Sequence, residues 1–90
     1  MTAAVGAPWP LADLVADHGK PTVTAVRDGM CWSWPGSDTR PPISIEVSRD
    51  DHPGRVIRVS NGRDRRVEVR LPDPDDNDLV RAMACVGLHR

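Results

Sequence analysis

From Ile43 onward the chain alternates between apolar and polar residues. Ile43-Ser44-Ile45-Glu46-Val47-Ser48 puts each odd position on one face and each even position on the other. That is the period of a half-buried antiparallel strand. A polar loop, Arg49 to Gly54, separates it from a second strand over residues 55–60. Asn61-Gly62 then leads into a third over 63–71, where Val67, Val69 and Leu71 are again odd. Upstream, Asp28-Gly29 sits between two short β-prone runs, residues 22–27 and 30–34, and this dipeptide is a strong hairpin signal. A two-residue loop there opposes Arg27 with Met30, Ala25 with Trp32 and Val23 with Trp34, setting small residues against the indoles.

Parity also predicts the turn at Asn61-Gly62. A two-residue loop would point Ile57 and Val59 away from Val67, Val69 and Leu71, leaving apolar side chains on both faces. A three-residue loop with Gly62 as a G1 bulge keeps all of them on one face. It pairs Val59 with Arg63, Ile57 with Arg65, and Arg58 with Asp64.

The ends of the chain follow a different period. Leu11, Leu14, Val15 and His18 recur at helical spacing, with Gly19 as a stop and Pro21 just beyond, predicting a helix over about 10–18. Pro72 and Pro74 end the last strand, and a second helix is expected over about 75–88. Asp75, Asp76 and Asp78 crowd its N-terminal end, while Leu79, Val80, Met83, Val86 and Leu88 form a broad apolar stripe. Residues 1–8 are unpatterned and read as a flexible arm. The predicted fold is α+β: a five-stranded antiparallel meander with a short N-terminal and a C-terminal helix packed on one face, in one small domain spanning 1–90.

Composition narrows the possible functions. No apolar run reaches the roughly 20 residues of a membrane span, and the first residues lack a secretory pattern. A cytoplasmic location is therefore expected. The net charge is -1, so no overall field draws the chain to nucleic acid. The basic residues are nearly all Arg and the acids nearly all Asp, a choice that favours GC-rich codons and points to a high-GC bacterium or its phage.

The residues that could carry chemistry are few. Asp73, Asp75 and Asn77 have the spacing of a calcium loop, but Asp78 and Ala84 occupy the positions that need Gly and Glu; helix capping accounts for the same residues. Cys85 and His89, four apart, make half of a zinc site, a weak candidate beside the reading of Cys31 and Cys85 as small buried residues. No nucleophile motif or phosphate loop is present, so neither catalysis nor a cofactor is expected.

The most suggestive feature is the basic hairpin. Six arginines lie between Arg55 and Arg70 against Asp64 and Glu68. Arg58, Arg66 and Arg70 fall on the solvent face, with Arg63 and Arg65 near the turn. The face carries no aromatic residue for base stacking, so single-stranded nucleic acid is not favoured. Trp9, between two prolines, reads either as an exposed anchor or as a cap over the core edge. The sequence therefore predicts a non-catalytic protein-binding domain acting through an Arg-rich sheet face or edge, with edge pairing between copies open. The alternative is a DNA-binding regulator, with Leu11–His18 and Thr22–Met30 as a helix-turn-helix. A small enzyme comes third.

Overall fold

The computed structural model describes residues 9–88. A 3-10 turn, η1 (Trp9–Leu11), runs into α1 (Ala12–His18). Five strands follow: β1 (Thr22–Val26), β2 (Gly29–Trp34), β3 (Ile43–Ser48), β4 (Arg55–Asn61) and β5 (Arg65–Leu71). They form one antiparallel sheet in chain order, closed by α2 (Asp76–Cys85). The architecture is the α+β meander with both helices on one face.

Even positions on β2 and odd positions on β3, β4 and β5 build the dry layer. Trp32 and Trp34 on β2, Ile43 and Ile45 on β3, and Ile57 and Val59 on β4 are buried, with Met30, Val47, Val67 and Val69 half-buried around them. Leu11 and Leu14 from the first helical segment and Leu79, Ala82, Met83 and Val86 from α2 complete this cluster. Cross-strand pairs at the centre of that face are apolar: Trp32 with Ile45, Ile45 with Val59, and Val59 with Val67. Each helix alone is too short to persist in water, so this burial is what holds them.

Local signals fix the helix ends. Asp75 caps α2 reciprocally: its carboxylate accepts from the Asp78 backbone at 3.0 Å, and the Asp78 carboxylate accepts from the Asp75 backbone at 3.0 Å. At the other end Gly87 takes a left-handed φ of 78°. The Leu88 N–H then reaches the Met83 carbonyl and the Gly87 N–H the Ala84 carbonyl, a Schellman motif. The helix therefore stops at Cys85 rather than Leu88, and Asn61 at the end of β4 donates to the Val86 carbonyl at 2.9 Å. The first helix is held at its far end, where Trp34 Nε1 donates to the Gly19 carbonyl at 2.8 Å.

Both hairpin registers differ from the sequence expectation, each by an even step. In the first, Val26 pairs with Gly29, so Ala25 faces Met30 and Val23 faces Trp32, and Arg27 and Asp28 form the turn. The reason lies at Gly29, where a Cβ would run into the Val47 carbonyl oxygen of β3. Glycine is thus needed inside the strand, and Asp28 takes the left-handed position at φ 54°. In the second hairpin a three-residue loop is present, but it is Gly62-Arg63-Asp64, and Asn61 pairs with Arg65. Val59 faces Val67 and Ile57 faces Val69, in place of Arg63 and Arg65. That register matches apolar with apolar and moves Arg63 into the turn. Arg58 consequently faces Glu68, not Asp64.

Candidate functional site

The even face of β3, β4 and β5 carries the arginines singled out by the sequence. Glu46, Arg58 and Glu68 stand in one row across three strands, as the pairings Glu46·Arg58 and Arg58·Glu68 require. Arg58 Nε donates to Glu68 Oε1 at 2.8 Å and its Nη1 to Glu46 Oε2 at 3.0 Å. The hydrogen bond from Arg58 to Glu68, more than any other influence, raises the arginine's pKa further above its ordinary value.

A second group comes from the β3–β4 loop. Asp50 reaches over the face and takes both guanidinium nitrogens of Arg70, at 2.7 and 2.5 Å, while Arg58 Nη2 stands 3.9 Å away. Arg70's hydrogen bonds, then the backbone N–H of His52, hold the Asp50 carboxyl well below the usual carboxylate range. Arg70 is correspondingly raised by its hydrogen bond to Asp50. Beside this clasp, Val56 and Ser48 are buried although both are even-numbered and belong to the face expected to be wet.

The face is therefore balanced. Three arginines (Arg58, Arg66, Arg70) stand among three carboxylates (Glu46, Asp50, Glu68), two of which come from outside the basic hairpin segment. A shallow depression of about 560 Å³ lies between Ser44, Glu46, Arg58, Arg66 and Glu68. Arg66 is exposed opposite Ser60, with no ion pair among the described residues. Arg63 is exposed in the turn, and Arg65 opens β5 opposite Asn61, near Gly87 at the end of α2. The five arginines therefore do not make one free cationic surface. The charge reading missed this because Asp50 is distant in sequence and its neighbourhood reads as an ordinary polar loop.

The other expected residues are scattered. Trp9 is 60% exposed at the start of η1, while Leu11 two residues on is fully buried. Cys31 lies half-buried on the same face as Glu46, 3.7 Å from Ser44 Oγ, and Cys85 is exposed on α2 over the opposite face. Neither is a buried core residue, and both thiols are free. The zinc candidate pairs Cys85 with His89, which is outside the described residues. Among the described residues no group of three or more His, Cys, Asp or Glu is placed to hold a metal. His18 stands against Arg40 at 3.1 Å and His52 against Asp50 at 3.7 Å. Thr22–Met30, which a helix-turn-helix needs as its recognition helix, forms β1, a turn and the start of β2.

What the sequence did not single out is the edge of the sheet at β1. Its four residues from Thr22 to Ala25 are exposed and Val26 is half-buried; Val23 is 42% exposed. The segment Thr-Val-Thr-Ala-Val has no charge, no proline and no bulge. Val26 and Gly29 close the two-residue turn as the hydrogen-bonded pair, so alternation directs the Val23 and Ala25 N–H and C=O groups outward. Thr22's carbonyl faces inward, accepting from Ser33 Oγ at 3.5 Å. Among the described residues, four unpaired backbone groups thus line this edge.

No family model, curated protein or solved structure matches the chain. Among the described residues no helix is long and apolar enough to cross a membrane.

Proposed function

We propose that the chain is a non-catalytic protein-binding domain that engages its partner by strand addition at β1. The observation that carries this reading is the unprotected edge itself: an uncharged, mostly β-branched strand with outward donors and acceptors. Such edges recruit extended backbone. The Arg-rich face supports the reading less, because Arg58 and Arg70 already have carboxylate partners. Their desolvation by a partner would require breaking those pairs. Cytoplasmic work suits two unbridged thiols, which a reducing compartment keeps free.

The test is capture with three baits. Wild type should retain a saturable partner that Ala25→Pro loses, because proline removes one outward N–H and leaves the β1–β2 ladder intact. Reversal of Arg66 to Glu should leave capture unchanged. Equal capture by wild type and Ala25→Pro would reject strand addition, and loss with Arg66→Glu alone would return the function to the charged face.

A further inference from the structure

We infer that the strand added at β1 is β1 of a second copy of this chain, giving a two-fold dimer with one continuous ten-stranded sheet. This rests on the strand-addition reading and names its partner. A two-fold axis through Thr24 sets Thr24 against Thr24 and Val23 against Ala25, twice over. Because Val23 and Ala25 are the residues whose backbone groups point outward, this register makes four hydrogen bonds and leaves none of those groups unpaired. Centring the axis on Ala25 would instead place Val23 against Arg27, which is in the turn. Centring it on Val23 would place Ala25 against Pro21, which has no N–H to give.

Side chains support the same register. Val23 and Ala25 stand opposite Trp32 and Met30, so the dry face continues across the seam, and the exposed Val23 side chain gains an apolar neighbour. The uncharged strand brings no like charges together. At each end the register sets Lys20 alongside Asp28 of the second copy, and both are exposed. The C-terminal helix does not obstruct the seam: α2 packs on β4, β5 and η1, towards the other end of the sheet. Opposite lies β5, whose Arg65, Arg66, Glu68 and Arg70 offer no comparable self-match.

A five-residue strand pair is small beside a standard interface, so the dimer is weak and concentration-dependent. Sedimentation equilibrium of wild type over rising concentration should show the weight-average mass climb from the 9.9 kDa monomer towards twice that value. Amide exchange should slow with concentration at Val23 and Ala25 and stay constant on β5. Ala25→Pro should stay monomeric throughout. Val23→Lys, at a position already in water, should weaken dimerisation at least tenfold and gives the reading if the proline variant loses its fold. A wild type that stays monomeric at every concentration overturns the inference, and so does a dimer that both variants leave intact. A monomeric wild type whose partner capture is still lost in Ala25→Pro would remove the second copy while keeping strand addition, so the two failures are distinct.

Discussion

The two edges of the sheet are built on different terms. β5 is charged at four of its seven positions, its valines are half-buried, and α2 packs beside it. It is also tied to the sheet by side chains, through Arg58 to Glu68 and through Arg70 to Asp50. β1 has none of these: five uncharged residues, held in the sheet by β2 alone. Natural sheets blunt an edge with charge, proline or cover. One edge of this molecule follows that rule and the other departs from it, which is where an interaction is to be sought.

Substitutions can sharpen or break this contrast. The largest effect is expected at the turn that anchors β1. Gly29→Ala drives a Cβ into the Val47 carbonyl and should cost about 3 kcal/mol by urea denaturation. A cost near zero would mean that β2 and β3 do not approach there as described. Next comes a matched pair of truncations. Val69→Ala, half-buried on β5, should cost about 1 kcal/mol, whereas Val23→Ala on β1 should stay within about 0.5 kcal/mol in dilute solution. Equal costs at the two positions would erase the distinction between the edges.

The clasp on the β5 side predicts a dependence on pH. Asp50 titrates below its unfolded value, so the stabilisation is complete above about pH 4 and drains away as the pH falls through the lower folded value. Asp50→Asn should melt lower than wild type at neutral pH, and the two melting curves should converge in acid. A constant gap between them would show that the Asp50–Arg70 pair contributes nothing that titrates. The smallest effect is on rate: at low concentration the Val23 and Ala25 amides should exchange faster than those of β3, which are paired on both sides.

Element order and the sidedness of the sheet were legible in the sequence; the strand registers were not. Sidedness depends only on whether a position is odd or even, so sliding a strand by two leaves it intact. Both hairpins differ from expectation by such even steps. Asp28-Gly29 signals a turn but not which of its residues occupy it, and the deciding contact, Gly29 against Val47, involves a third strand. At the second hairpin, matching Val59 and Ile57 with Val67 and Val69 outweighs the local preference for Gly62 at the end of the loop. The charge balance of the candidate face was hidden for a similar reason. Counting arginines between Arg55 and Arg70 omits Glu46 and Asp50, which the fold delivers from an earlier strand and its loop. The consecutive pair Val56-Ile57 did carry a signal, since neighbours on a strand face opposite ways and both are buried.

The three tryptophans have a practical consequence. The chain has no tyrosine or phenylalanine, so its near-ultraviolet absorption and emission come from indoles. Trp32 and Trp34 are sealed in the interior while Trp9 is 60% in water. A soluble quencher should therefore extinguish one emitter readily and the other two only after denaturation. The red shift on unfolding should come from the interior pair over a constant background, which gives an optical readout of the dry layer without any added label.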